Sequence, residues 1–432
     1  MGNARFRGGV HPPERKEATS GLAVTRVPVP SRLVIPMSQH LGAPCAPVVA
    51  VGDHVRRGQL LGDVSAMVSA PVHASVSGTV SAIGPVLTTG GTRVAAVTIQ
   101  PDEEQDLEAY VAVVVEGDDR DRVRAAGIVG MGGATFPSVV KLTPPKDLAI
   151  ETVLLNGCEC EPYLTCDERL MVESPERVVA GAQHIRDIVG AKRVVIAVEA
   201  NKPAAVEALK AHTQEGVEIE VLPTRYPQGA EKQLIYAILG KEVPHGALPA
   251  ATGALVHNVA TAAAIADALE HGKPLMERIV TVTGAVARPG NYRVLIGTLV
   301  SDLIEFAGGL VGDVERVIAG GPMTGQALAS LDVPVTKGTS GIVALAKGVA
   351  ARAIDGDQPC IRCGRCPEAC PMGLEPYILA TYSGKRMWDA AAERNVIDCI
   401  ECGVCSYVCP TKRPLLQLIR LGKSAAMSKG VK

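Results

Sequence analysis

Short apolar runs punctuated by Gly and Pro fill residues 29–100, and their alternation predicts strands joined by tight turns. Farther along the period changes. Arg193-Val-Val-Ile-Ala-Val-Glu199 reads as a buried strand, and the Ala-rich window 203–212 reads as a helix. Segments of these two kinds alternate between residues 115 and 270, which predicts an α/β sandwich with a sheet that is parallel at least in part. From Glu277 the run Arg-Ile-Val-Thr-Val-Thr alternates as a strand and leads to a Pro289-Gly290-Asn291 turn. Residues 297–309 then read as a helix closed by Gly308, and a Pro/Gly-spaced linker follows. The best candidate for a membrane span, residues 247–269, is broken by Pro249, His257, Asn258 and Asp267.

Composition narrows the function classes. The chain has 432 residues, 47% hydrophobic and 20% charged, with a net charge of −2. That length allows about three domains of ordinary size. A near-neutral balance and only 3% aromatic residues give no basis for nucleic acid as a partner. The opening residues lack the apolar core of a signal peptide, so a reducing cytoplasm is expected.

Two cysteine runs change the picture most. Cys360-Ile-Arg-Cys363-Gly-Arg-Cys366-Pro-Glu-Ala-Cys370-Pro is repeated as Cys399-Ile-Glu-Cys402-Gly-Val-Cys405-Ser-Tyr-Val-Cys409-Pro. Each is the C-x2-C-x2-C-x3-C-P run that holds a [4Fe–4S] cluster in two-cluster ferredoxins, where the fourth Cys serves the other cluster. The expected sets are Cys360, Cys363, Cys366 and Cys409 for the first cluster, and Cys399, Cys402, Cys405 and Cys370 for the second. Zinc usually takes two separated pairs, and disulfides do not suit a reducing compartment. Cys158, Cys160 and Cys166, spaced C-x-C-x5-C, match no such framework and read as ordinary thiols.

A glycine-rich stretch, Gly130-Met-Gly132-Gly133-Ala-Thr-Phe-Pro-Ser-Val-Val-Lys141, offers exposed N–H groups and a point charge suited to a phosphate. It is neither a P-loop nor a G-x-G-x-x-G fingerprint, and on its own residues a plain turn is an equal reading. His54 and His73 read as surface or turn histidines. Beyond Thr411 the tail carries six Lys and Arg and no acid, which reads as a solvated end or a contact for an acidic partner or anionic lipid.

Several stretches resemble known families. Residues 51–62 and 69–80 resemble the halves of a biotinyl/lipoyl-type barrel-sandwich domain. The hairpin between them, Asp63-Val-Ser-Ala-Met-Val68, lacks the carrier Lys, which leaves a docking or packing role. The glycine stretch is similar to the flavin loop of the FMN-carrying subunit of complex I. Asn156-Gly-Cys-Glu-Cys-Glu-Pro-Tyr163, Tyr226-Pro-Gln-Gly-Ala-Glu-Lys-Gln-Leu234 and His257-Asn-Val-Ala-Thr261 resemble further segments of that subunit in the same order. The resemblance implies that Gly130, Gly132, Gly133 and Lys141 hold the phosphate side of FMN. It implies that Asn156, Glu159, Tyr226, Glu231, Asn258 and Thr261 line the flavin. Ala230 and Ala260 stand where that family has Glu, a departure that bears on the nicotinamide nucleotide. Residues 277–309 resemble a soluble-ligand-binding β-grasp (SLBB) domain, read here as a spacer with no ligand of its own.

Taken end to end, the chain resembles the C subunits of Rnf (Rsx) electron-transport complexes. The expected fold is multidomain α/β, in four parts and a tail. These are a barrel-sandwich unit (1–105), a flavin/NADH-binding unit (115–270), a β-grasp unit (275–345), a two-[4Fe–4S] ferredoxin unit (355–415) and a basic tail (416–432). The resemblance implies a peripheral subunit on the cytoplasmic side of the inner membrane, part of an ion-translocating oxidoreductase. NAD(H) is its substrate, and ferredoxin is reached through partner subunits. Two alternatives stay open: a non-enzymatic iron–sulfur wiring module, and a cobalamin-reductase-like flavoprotein. The latter family places its cluster region before the β-grasp domain, unlike this chain.

Overall fold

The computed structural model describes residues 5–213, 215–349 and 359–429. Residues 350–358, on which most of the expected linker falls, lie outside the described residues, as do 430–432 at the end of the tail.

The alternation in residues 29–100 builds two small sheets. Strand Arg93–Pro101 pairs antiparallel with Leu33–Pro36 and with Gly78–Leu87, which in turn pairs with His54–Val55. Leu60–Asp63 pairs with Ala46–Pro47 and with Val72–His73. Leu33, Ile35, Val55, Leu61, Val80, Val97 and Ile99 bury their side chains between the sheets, as a period of two requires. The hairpin that follows Leu60–Asp63 is held down: Arg124 of the neighbouring unit donates to both carboxylate oxygens of Asp63 and to the Val64 carbonyl. His54 is exposed and pairs with Asp102. His73 corrects the surface reading. It is 4% exposed, and burial pushes its pKa down to about 3, with the Lys337 charge adding to the shift.

The middle of the chain forms a four-stranded, all-parallel sheet in the order Val217–Leu222, Arg193–Glu199, Thr152–Gly157, Ala254–Asn258. From Thr152–Gly157 the chain steps outward twice to one side and then returns to add Ala254–Asn258 on the other. The strand order therefore reverses between Thr152–Gly157 and Ala254–Asn258, and ligands of open α/β sheets bind outside the carboxyl ends of strands at such a point. Helices Cys166–Glu173, Pro175–Val189 and Val259–His271 cover one face, and Glu231–Leu239 covers the other.

The β-grasp unit is a six-stranded sheet in which Glu277–Gly284 lies between Gly290–Leu295 and Gly341–Ala346. Helix Val300–Phe306 packs on it through Val300, Leu303 and Ile304. Its edge strand comes from elsewhere in the chain: Thr25–Arg26 joins Gly290–Leu295 in parallel. Glu277 is an electrostatic joint between the barrel-sandwich and β-grasp units. Its carboxylate lies 3.1–3.3 Å from Arg26, Arg57, Lys273 and Arg293. Burial alone would raise its pKa, but the four cations hold it at about 2.

The last unit is helical. Helix Leu415–Ser428 corrects the reading of the tail as a solvated end. Leu415, Ile419 and Ala426 are buried against Leu379 and Ala380, and Gly422 sits where a Cβ would come within 2.0 Å of Ser383 Oγ. Its Arg420 and Lys423 turn inward to Glu401. Among the described residues, no helix is long and apolar enough to cross a membrane.

Candidate functional site

The two cysteine runs adopt one backbone twice. Arg362 and Gly364 have φ of 55° and 76°, and Glu401 and Gly403 have φ of 56° and 76°. In each loop the N–H two residues on points at the first sulfur, Arg362 N to Cys360 Sγ and Glu401 N to Cys399 Sγ, both at 3.4 Å. Short helices Arg365–Ala369 and Val404–Val408 then carry each fourth Cys away from its own loop. The thiol of Cys366 is raised to about 11 by burial, and its sulfur neighbours are Cys360 and Cys409. Cys402 is raised to about 12 by burial and by Cys399 and Cys370. The sulfurs therefore group across the repeat. One cavity is lined by Cys370, Cys399, Cys402 and Cys405 with the apolar Ile400, Val404, Leu416 and Ile419, and four convergent soft donors in an apolar shell fit an iron–sulfur cube.

The first loop faces outward, with Cys360 and Cys363 exposed. The second faces the parallel sheet. The Tyr226 hydroxyl, on a side chain 3% exposed, donates to the Cys402 carbonyl at 2.7 Å. Gln233 donates to the Pro371 carbonyl at 3.4 Å.

At the carboxyl ends of Thr152–Gly157 and Ala254–Asn258 the glycine loop folds back on itself, with Gly130 N bonded to the Phe136 carbonyl at 2.8 Å. Met131 N donates to Thr261 Oγ1 at 2.9 Å. A Cβ on Gly132 would lie 2.8 Å from Asn258 Nδ2, so only glycine permits this approach. Gly133 faces open space. Asn258 caps helix Val259–His271 through Ala260 N and donates to Asp167. Gly130, Gly132, Asn258 and Thr261 thus converge. Asn156 instead donates to the Gly229 carbonyl, in the loop that begins at Tyr226. Lys141 is engaged by Glu231 at 2.7 Å and by the Val256 carbonyl. The Glu159 carboxylate caps helix Cys166–Glu173, accepting from Asp167 N and Glu168 N.

Two buried polar atoms, one close in sequence to the glycine loop and one to Asn258, suit a polar ligand. Ser138 Oγ, just past the glycine loop, and His257 Nε2, beside Asn258, are buried without a protein partner. These fit a flavin phosphate and its sugar-like chain. Burial raises the thiols of Cys158 and Cys166, and Cys160 Sγ accepts from Gly229 N.

Sequence reasoning missed the first residues of the chain as part of this site. Val10 pairs with Tyr226, Gly9 N donates to the Ala369 carbonyl, and buried Lys16 donates to the carbonyls of Glu159, Glu161 and Leu164. A Lys followed by Glu, Ala and Thr carries no local signal for burial. Lys337 was missed as well. It donates to the Pro71 and Gly127 carbonyls and so fastens the barrel-sandwich unit beside the glycine loop; burial lowers its pKa to about 7.

Four family models match successive stretches of the chain. Family models match as the RnfC barrel sandwich hybrid domain over residues 4–104 and the Nuo51 FMN-binding domain over 123–267. The SLBB domain matches over 279–327 and the 4Fe-4S dicluster domain over 352–410. The chain is 45% identical, over 98% of its length and 94% of the relative's, to the C subunit of the proton-translocating ferredoxin:NAD(+) oxidoreductase complex of Clostridium ljungdahlii. It is 46% identical, over 97% of its length and 96% of the relative's, to the Na(+)-translocating counterpart of Acetobacterium woodii. A crystal structure of NAD+-reducing [NiFe]-hydrogenase shares the fold at a TM-score of 0.51 and 19% identity, covering 71% of this chain and 62% of that one. With this identity sustained from end to end, the chain belongs to the family of C subunits of Rnf-type ion-translocating ferredoxin:NAD(+) oxidoreductase complexes.

Proposed function

We propose that this chain is the electron-transfer subunit through which such a complex exchanges electrons with NAD(H), by way of FMN and two [4Fe–4S] clusters. It would sit as a peripheral subunit on the cytoplasmic side of the membrane. Ferredoxin chemistry and ion movement belong to the assembled complex. One observation carries the reading: the Tyr226 hydroxyl bonded to the Cys402 carbonyl, which sets the second cysteine loop against the sheet that ends in the crevice.

A flavin exchanges two electrons with a nicotinamide and single electrons with clusters, which is the conversion this pathway needs. The chain's residues divide the remaining work. The backbone around Gly132 and Gly133 would face the phosphate end, while Gly130 N, bonded to the Phe136 carbonyl, shapes the loop, and Ser138 and His257 would add neutral hydrogen-bonding groups. Lys141, paired with Glu231, would add a positive charge on the phosphate side. Asn258 and Thr261 hold the glycine loop to its helix, while Asn156, Glu159, Tyr226 and Glu231 frame the ring side. Cys360, Cys363, Cys366 and Cys409 hold the outer cluster; Cys399, Cys402, Cys405 and Cys370 hold the inner one. The division into 1–105, 115–270, 275–345 and 355–415 follows this assignment, with 416–429 reassigned from tail to the cluster unit.

Anaerobic reconstitution with iron, sulfide and FMN, followed by NADH, tests it. Flavin bleaching followed by loss of the broad cluster absorbance is the expected result. Clusters without bound flavin would leave a wiring module instead.

A further inference from the structure

The β-grasp loop 320–324 touches both halves of this pathway. On one side it grips Glu161, in the Glu-Cys-Glu-Pro loop that leaves strand Thr152–Gly157. The Glu161 carboxylate accepts from Met323 N at 3.0 Å, from Thr324 N at 2.9 Å and from the Thr324 hydroxyl. The fit is close: a Cβ on Gly321 would stand 2.2 Å from Glu161 Oε2. Lys16 holds the same loop from behind, and Leu164 packs on Ile318, Val343 and Leu345 of the β-grasp sheet.

On its other side the loop meets the inner cysteine loop. A Cβ on Gly403 would lie 2.4 Å from the Met323 carbonyl. Arg420 donates to the Thr324 carbonyl at 3.1 Å and to Glu401 at 3.0 Å. A spacer needs neither contact. We propose that loop 320–324 is a positioning clamp, holding the flavin-side loop and the inner cluster loop at a fixed spacing, and that Gly321 and Thr324 are the residues it depends on. This rests on the flavin reading above.

The test uses the full chain, reconstituted with iron, sulfide and FMN, and the variants Gly321→Ala, Thr324→Val and Thr324→Ser. None of these alters a flavin or cluster ligand. In Gly321→Ala, FMN content, iron content and the rate of flavin bleaching by NADH should match the wild type. Cluster bleaching should then lag by about tenfold or more, since small displacements of reacting groups carry large rate penalties. Thr324→Val should show a smaller lag and Thr324→Ser should restore the rate. Cluster bleaching at the wild-type rate in Gly321→Ala overturns the clamp. Loss of FMN from that variant also overturns it, because the loop then serves flavin retention. If the wild type binds no FMN, the flavin reading is what has failed. The clamp is then judged on the paramagnetic signal of the chemically reduced inner cluster, and an unchanged signal in Gly321→Ala overturns it.

Discussion

Loops 360–366 and 399–405 turn through the same dihedral angles, and each aims an N–H at its first sulfur from 3.4 Å. Their surroundings differ. The first leaves Cys360 and Cys363 exposed; the second is enclosed by Leu416, Ile419, loop 320–324 and the Tyr226 hydroxyl. A repeated sequence thus supplies equal ligand geometry, while burial and hydrogen bonding, which tune cluster potentials, come from distant residues. The enclosed loop is tied to the parallel-sheet unit through Tyr226, and the open one leaves two of its sulfurs exposed.

The largest effect should come from breaking the crossing between the loops. Cys370→Ala and Cys399→Ala should remove the same cluster, each lowering iron content by about half and abolishing the same paramagnetic signal. If Cys370→Ala instead removes the signal lost in Cys360→Ala, the crossed assignment is wrong.

Acid should withdraw the stability contributed by two buried histidines, one in the barrel-sandwich unit and one in the parallel sheet. His73 and His257 are buried, and desolvation holds both at about 3. In the unfolded chain they take up protons below about 6.5, so folded-state stability is fully present above that pH and falls toward pH 3. The slope is at most about 1.4 kcal/mol per pH unit for each histidine. The Tm of the cluster-free protein between pH 7 and about 5 measures it, and His73→Gln should flatten the curve. The difference between the wild-type and His73→Gln curves is the test, because buried Asp167 and Glu199, both raised to about 7, act with the opposite sign in the same window; equal slopes would contradict the burial of His73.

Exposure should also separate the loops in time. A ferrous chelator should draw iron from the open site several-fold faster than from the enclosed one, giving two phases of roughly equal size. A single phase would erase the distinction. The smallest effect is that of Tyr226→Phe, which leaves the Cys402 carbonyl unmet at a cost of about 1 kcal/mol. With that oxygen's negative end uncompensated, the inner cluster should become harder to reduce, by tens of millivolts. The outer cluster should not shift.

Legibility followed the reach of each interaction. The dicluster unit shows in spacing and repetition within fifty residues, and strand Arg193–Glu199 and helix Pro203–His212 in periodicity, so both could be read directly. The convergence of Gly132 with Asn258 required a resemblance, because the two lie in segments joined only through the sheet. The inward turn of Arg420 and Lys423 was hidden because a charge count is blind to Glu401 on the opposing loop. Lys16 and Lys337 are apolar neither in composition nor in period; their burial is set by carbonyls of other units.

The threading of residues 8–26 through the other units sets an order of events during synthesis. Gly9 bonds to Ala369, and Thr25–Arg26 completes a sheet whose next strand begins at Gly290. At about 5–20 residues per second, the ribosome takes roughly 20 to 70 s to deliver Ala369 after Gly9 has emerged. During that interval the early segment has no partner in the cluster unit and is open to chaperones and proteases. The docking of residues 9–26 therefore waits for the cluster unit and the β-grasp strand to be made.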